Sequence, residues 1–412
     1  MSKNTSRLRF NKYKSSPQIA KLGDYSIKVG SGKTPKGGSS VYQDDGVILI
    51  RSQNVLDGQL ELKEVAFISD EINKTMSNSE VNPRDVLLNI TGASIGRCAI
   101  VPNDFPPANV NQHVCIIRAD ENKLDPKYLM QQILSPRIQN QINSLQAGGN
   151  REGLNFQQIR AFDVLIHDYQ EQVQIGDFLS TIDSRITNQS SKLDSLQELK
   201  KGVMQKIFSQ EIRFKREDGR EYPDWEEKTL GDIFAQIDSG MTAEQVTGPT
   251  DFPVSRIETI SDDRINIDKV GYVKHFDGIE RYKLMKGDIL FSNINSLKFI
   301  GRAVLVENEK LYHGMNLLKL RAKDGFSSKF LIYSFNTEKM SNQFKSNAKR
   351  AVNQASISQS DIKRLTVKIP IMEEQQKIAD FLSTLDSKIS LESQILETLQ
   401  TMKKGLLQQM FV

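Results

Sequence analysis

Residues 177–186 read DFLSTIDSRI, and residues 380–389 read DFLSTLDSKI. A buried helix would account for either phrase alone, but not for the fixed offset of 203 positions between them. The match widens on both sides. From Glu171 to Phe208 against Glu374 to Phe411, about twenty of the 38 positions are identical without a gap. Upstream it weakens but persists: FDVLIHD (162–168) answers LTVKIPI (365–371), and GDYSIKVGSGKTP (23–35) answers GDIFAQIDSGMTA (231–243). RDVLLNITGASIGRCAIV (84–101) answers GDILFSNINSLKFIGRAVLV (287–306), with two residues inserted. A period near 200 is far beyond the ~20–50 residues of a solenoid repeat. The chain is therefore read as variable unit, helix, variable unit, helix.

The repeated segment carries a coiled-coil spacing. Ile175, Leu179, Ile182, Ile186, Leu193, Leu196, Val203 and Ile207 recur in steps of four and three, with polar residues at two slots. Ile378, Leu382, Leu385, Ile389, Leu396, Leu399, Leu406 and Met410 repeat the pattern. The polar slots are Gln189 and Lys200 in the first copy, Glu392 and Lys403 in the second. At ~1.5 Å per residue each helix spans about 50–60 Å. Duplicated elements pair naturally about an internal two-fold axis. The expectation is an antiparallel coiled coil with Lys200 opposite Glu392 and Gln189 opposite Lys403, so that polar slots satisfy one another. The alternative is that each helix packs only on its own domain. Phe178, Phe208, Phe381 and Phe411 lie beside the seam and are read as surface for a further partner.

The variable units mix short strands with helices, an α+β class. VILIRSQNV (47–55), DVLLNIT (85–91), CAIV (98–101) and HVCIIRA (113–119) read as strands, and PKYLMQQILSPRIQNQI (126–142) as a helix. The second unit offers VSRIETI (254–260), DILFSNI (288–294), AVLVE (303–307) and NLLKLRA (316–322), with a helix over 328–344. This divides the chain into a first head (1–168, with a basic arm over 1–16), a helical spacer (169–212), a second head (213–370) and a second spacer (371–412). Loops rich in Gly, Arg, Asn, Gln, Ser and Thr lie between the strands. Examples are GSGKTPKGGSS (30–40), NITGASIGR (89–97) and GGNREGLN (148–155), then NINSLKFIGR (293–302) and NAKRAVNQ (347–354). Glycine lets backbone approach a ligand closely, and these side chains are the ones that read base edges. Five such loops in each head point to nucleic acid.

Hydrophobic content of 38% and charged content of 26% describe a globular chain. No apolar run of ~18 residues is present, and MSKNTSRLRF lacks the apolar core of a signal peptide, so a cytoplasmic protein with no membrane partner is expected. Cys98 and Cys115 are too few for a disulfide scaffold, and the four histidines have no ligand spacing, so no metal is expected. Net charge is a mild +4, but the first 36 residues hold nine Lys and Arg against Asp24. Such an arm attracts phosphate, although charge alone fits a solvated terminus equally well. GSGKT (30–34) is not a phosphate-binding loop, because Ile27 stands where a glycine is required and Pro35 where a helix should begin. NDFPPAN (103–109) has the wrong order for an amino-methyltransferase motif. Arg151–Glu152 and Asp262–Asp263 read as solvated charges. No catalytic constellation emerges.

With these features assembled, the chain resembles the specificity subunit of type I restriction–modification enzymes. The resemblance rests on LGD…GSGKTPKGG, ILIRSQNV, LLNITGASIGR, NQHVCIIRA, GGNREGLN, EEQQKIADFLSTLDSKI and the run LQELKKGVMQKIFSQEIRFKREDGREYPDWEEKTLGDI. It implies that each head is a target-recognition domain reading one half of a bipartite double-stranded DNA target. It implies that the helices set the gap and dock two modification subunits, which bind S-adenosylmethionine and methylate adenine. Two restriction subunits would add ATP- and Mg-dependent translocation and cleavage. This chain itself would bind no cofactor and catalyse nothing. By order of loops, the expected DNA-binding residues are Lys33, Thr34, Arg51, Gln53, Asn54, Thr91, Arg97, Asn111, Gln112, His113 and Arg151 in the first head. In the second they are Thr242, Arg256, Asn293, Asn295, Arg302, His313, Asn316, Arg350 and Asn353. A stand-alone bipartite DNA-binding regulator is the rival reading. A diverged methyltransferase or nuclease, and a pure coiled-coil scaffold, are weaker ones.

Overall fold

The computed structural model describes residues 8–146, 153–261, 264–352 and 354–411. Arg151, Glu152, Asp262, Asp263 and Asn353 lie outside the described residues. Two helices dominate, Tyr169–Phe208 and Met372–Met410. The chain divides into two compact units, one comprising residues 1–192 and 392–412, the other 193–391. Each unit thus takes a head together with part of both helices, rather than leaving the helices as separate spacers.

In the first unit a four-stranded antiparallel sheet runs Ser26–Ser31, Val114–Ala119, Val86–Asn89, Cys98–Ile100. A three-stranded sheet of Ala66–Ile68, Val47–Ile50 and Ala108–Val110 joins it, its last pair parallel. The NDFPPAN stretch therefore feeds a strand. The second unit repeats the four-stranded order with Phe234–Ser239, Leu318–Ala322, Ile289–Phe291 and Ala303–Leu305.

Several elements are shorter than their sequence periodicity suggests. The helix expected over 126–142 is two helices, Pro126–Leu134 and Pro136–Gln146. Ser135 is extended at ψ 154° because the ring of Pro136 disfavours a helical residue before it. The helix expected over 328–344 breaks where the Thr337 hydroxyl accepts from Met340 N–H and starts a new helix, Glu338–Asn347. VSRIETI keeps strand geometry only at Val254, the end of the strand Pro253–Val254. The Thr259 side chain then accepts from Arg256 N–H and closes a 3-10 turn, Ile257–Ile260. VILIRSQNV does likewise, its strand ending at Ile50 before the turn Ser52–Asn54.

The duplication recurs contact by contact. Glu171 and Gln172, identical in the other copy as Glu374 and Gln375, are all buried. Gln172 Oε1 accepts from Asp125 N at 3.0 Å and its amide donates to His167 O; Gln375 accepts from Ser327 N at 2.9 Å and donates to Pro370 O. Arg9 forks onto Glu171, and Arg213 onto Glu374. Phe10 stacks edge-on against Phe178 at 6.0 Å, and Phe214 against Phe381 at 5.7 Å. Leu8 N donates to Gln409 O, as Ile212 N donates to Lys206 O. Part of the basic N-terminal arm is therefore a structural strut. Arg9, 15% exposed, is committed to a buried carboxylate and unavailable to phosphate.

Within each unit the helices run antiparallel, as expected, but in a different register. In the first unit Lys403 meets Asp183 at 2.5 Å, while Gln189 donates to Glu392 at 2.6 Å and Lys192 pairs with the same carboxylate. In the second, Lys200 meets Asp386 at 2.5 Å and also lies 5.5 Å over the Tyr333 ring. Lys200 does not face Glu392, nor Gln189 Lys403; Lys200 is paired six residues short of Glu392. The expected register would have given Lys403 only an amide. The observed one gives both seam lysines a carboxylate, supplied by the residues flanking Ile182 and Leu385, and leaves the two non-basic slots to each other.

The phenylalanines also divide. Phe411 is buried in the first unit's core, 5.4 Å from Tyr128, and Phe208 packs on Trp225 and Phe330 in the second. Phe411 is a core residue and Phe208 is partly buried against the core, so neither is the free surface expected of them. Phe178 and Phe381 stay about 40% and 39% exposed.

Candidate nucleic-acid interface

In the first head four polar loops are stitched together by backbone hydrogen bonds. Gly32 N donates to Asn111 O at 3.2 Å, Asn111 N to Ile50 O at 3.0 Å, and Ile90 N to His113 O at 3.0 Å. Gly32 makes the first contact possible, since a Cβ there would lie 1.6 Å from Val110 O. The stitched loops bring Lys33, Thr34, Thr91, Gln112 and His113 to one place. Thr34 Oγ1 donates to Gln112 Oε1 at 2.8 Å, Gln112 Nε2 contacts His113 Nε2 at 3.3 Å, and His113 Nδ1 contacts Thr91 Oγ1 at 2.6 Å. Lys33, Gln53 and Arg97 are exposed. Arg51 is half-buried, 5.7 Å over the Tyr42 ring, and together with Gln53 reaches towards Glu64 O at 3.4 Å.

Two expected readers in this head serve the scaffold instead. Asn54, 1% exposed, accepts from Arg51 N and donates to Glu61 O and Glu64 O. Asn111, 7% exposed, accepts from His113 N. Their amides saturate backbone groups that would otherwise be buried unpaired.

The second head also ties its loops together, through different atoms: Met241 N donates to His313 O at 2.9 Å and Ser255 N to Tyr312 O at 2.8 Å. Gly240 is the counterpart of Gly32, its Cβ position 1.9 Å from Gly314 O. The loops line an open cleft that gathers three expected readers, Thr242, Arg256 and Asn316, with Gln245 and Glu258. Asn293, Asn295 and Arg350 form a separate patch, where strand Ile294–Asn295 pairs with the hairpin of Lys349–Arg350 and Ala355–Ser356. Arg302 donates to Ser261 O and lies 4.7 Å over Phe299, so its guanidinium is engaged within the head. His313 is not a reader: it is 1% exposed and bonded to Leu317 O, and burial holds its pKa down at about 4. Two aromatics that the sequence reading did not single out stand against these arginines, Tyr42 beneath Arg51 and the exposed Phe299 between Lys298 and Arg302. Phe299, set between Lys298 and Arg302, was legible as an aromatic interleaved with basic residues, whereas Tyr42, followed by Asp44 and Asp45, carries no such signal in the sequence.

Gly240→Ala is expected to cost about 1–3 kcal/mol by forcing the 240–242 loop off Gly314. Urea unfolding would register the loss, and far-UV circular dichroism of the folded variant should be unchanged.

Among the described residues, no group of three His, Cys, Asp or Glu is placed to hold a metal, and Cys98 and Cys115 are both free and buried. Among the described residues, no helix is long and apolar enough to cross a membrane.

A family model described as the type I restriction modification DNA specificity domain matches residues 18–200 and again 222–401. The chain belongs to that family. Each matched stretch runs through one head and on into the long helix that follows it, so the family unit is the duplicated unit. The chain is 43% identical over 210 residues to a provisionally named MjaX type I restriction enzyme specificity subunit of Methanocaldococcus jannaschii, covering 50% of this chain and 49% of that one. It thus spans about half the length of that relative. It is 20% identical to the EcoKI specificity subunit of Escherichia coli strain K12, over 82% of this chain and 74% of the relative. In fold it is similar to the crystal structure of a type I restriction–modification S subunit from M. genitalium, with a TM-score of 0.64, 16% identity and 99% of both chains covered.

Proposed function

We propose that this specificity-domain protein is the DNA-recognition subunit of a type I restriction–modification complex, each head reading one half of a bipartite duplex target. The observation that carries this reading is the double occurrence of one device. In both heads a Gly-led loop is tied by a backbone bond to a polar loop that also bonds the strand end before the arginine turn, and each presents a cluster of polar side chains of the kinds that read bases. Phosphate contacts from exposed lysines such as Lys33 and Lys349 would supply affinity, and the clustered side chains specificity. The chain itself makes and breaks no bond. Adenine methylation with S-adenosylmethionine belongs to two modification subunits, and ATP-driven cleavage to two restriction subunits.

The helices are the docking surface in this reading. Phe178 and Phe381 are exposed at equivalent positions, as are Leu199 and Met402. Nearby Gly202 and Gly405 have open space where a side chain would be. A glycine inside a helix costs about 1 kcal/mol relative to alanine, and its repetition in both copies fits close approach by a partner helix. Phe178→Asp combined with Phe381→Asp is expected to weaken association with modification subunits at least tenfold, measured by calorimetric titration, with DNA binding by the chain alone unchanged.

The function is tested by fluorescence anisotropy of labelled duplex with the full chain, alone and with modification subunits. Affinity should rise on adding those subunits, and adenine methylation should appear only in the complex. Full affinity from the chain alone would favour a stand-alone regulator, and methyl transfer by the chain alone an enzyme.

A further inference from the structure

The hydrogen-bond chain Thr34–Gln112–His113–Thr91 has a direction, and that direction limits what Gln112 can read. Gln112 Oε1 accepts twice from one residue, from Thr34 Oγ1 at 2.8 Å and from Thr34 N at 3.3 Å. A carbonyl oxygen has two lone pairs, so its acceptor capacity is used. The amide nitrogen faces His113 Nε2 at 3.3 Å. An amide nitrogen only donates, so His113 Nε2 must accept and the ring proton sits on Nδ1. Nδ1–H then donates to Thr91 Oγ1 at 2.6 Å, which leaves the Thr91 hydroxyl proton to point elsewhere. Gln112 is exposed and keeps a second N–H.

An unrestrained glutamine reads adenine with both ends of its amide, accepting from N6 while donating to N7. Gln112 cannot do so, because its oxygen is taken. We propose that Gln112 is a specificity-determining residue of the first head that acts as a donor only, selecting a base that presents a keto oxygen in the major groove: guanine through O6 or thymine through O4, where adenine and cytosine present an amino group. Thr34 and His113 are positioning residues that lock the amide in this orientation. The inference rests on the reading of this head as a DNA reader and sharpens it to one side chain and one hydrogen-bond polarity.

The test is selection of bound sequences from a randomised duplex library by the full chain with its modification subunits, for the parent, Gln112→Glu and Thr34→Val. In the parent, one position of one half-site should be guanine or thymine. Gln112→Glu replaces the donor with acceptors, so preference at that position should move by about tenfold or more towards cytosine or adenine, with the other half-site unchanged. Thr34→Val removes the shorter of the two bonds to Oε1 and leaves a lone pair free to accept from adenine N6, so the same position should come to admit adenine. Adenine at that position in the parent, or no position that responds to Gln112→Glu, would overturn the proposal while DNA reading stands. Failure of the parent to enrich any sequence would overturn DNA reading itself.

Discussion

Glu374→Ala is expected to destabilise the second unit by about 3–5 kcal/mol, the usual cost of removing one partner from a buried ion pair. Glu374 is fully buried and accepts from three donors: Arg213 Nε at 3.2 Å, Arg213 Nη2 at 2.8 Å and Trp225 Nε1 at 3.2 Å. Truncation takes the buried carboxylate from a guanidinium that is only 18% exposed, leaving it Pro223 O and the exposed Asp224, and strands an indole N–H. Glu374→Gln keeps the shape and part of the hydrogen bonding, so it should cost distinctly less. The chain has a single tryptophan, so its fluorescence during urea unfolding reports this site directly. An alanine variant with an unchanged midpoint would show that the joint between head and helix does not depend on this carboxylate. Glu171, bonded to Arg9 in the first unit, should behave alike.

The second large effect is on pH dependence. His167 and His313 are buried, and burial above all lowers the pKa of each to about 4. His167 Nδ1 is bonded to the Tyr128 hydroxyl at 2.5 Å, and its Nε2 is buried without a partner, so protonation would place an unsolvated N–H⁺ there. Arg9 disfavours that charge and Glu171 favours it, but desolvation dominates. Around His313, Lys319 opposes the charge, while Asp238 and Asp288 favour it. An unfolded histidine titrates near 6.5. Between about pH 6.5 and 4 the unfolded chain therefore binds protons that the folded chain does not, and stability falls as pH falls through that window. The neutral-pH contribution lost is roughly 3 kcal/mol per histidine at most. Urea midpoints measured from pH 7.5 to 4.5 should fall less steeply in His167→Gln and His313→Gln than in the parent. Equal slopes would mean that these rings are not held neutral.

The sequence made the helical half of the fold legible because a heptad seam is a local, periodic signal. The Glu-Gln pair that both copies keep at 171–172 and 374–375 was also visible. Its partners, Asp125 and Ser327, were not, being far away in the chain. The seam register failed for a similar reason. Asp183 and Asp386 lie beside the seam positions Ile182 and Leu385, and only the facing helix shows that they hold Lys403 and Lys200. In the heads, composition picked out loops that the fold brings together, without separating exposed side chains from those that serve the scaffold. Asn54, Asn111 and His313 have the same chemistry as Gln112 and Asn316. What distinguishes them is the location of unpaired backbone donors and acceptors, a property of the folded loop. The 3-10 turns after Arg51 and Arg256 were hidden for the same reason, since apolar Ile and Val around them imitate strands.

The central claim is that one reader-with-helix was duplicated and that each copy addresses a different half of one DNA target. Its most direct test is a genome-wide map of methylated adenines in cells expressing the full system with the parent chain, Arg51→Ala or Arg256→Ala. These arginines occupy equivalent positions, each starting a 3-10 turn beside its stitched loops. The parent motif should be two short blocks around an unread gap. Each variant, losing about 1–3 kcal/mol of base discrimination, should relax one block only, and a different one in each case. A single contiguous motif, or relaxation of the same block by both variants, would contradict the account.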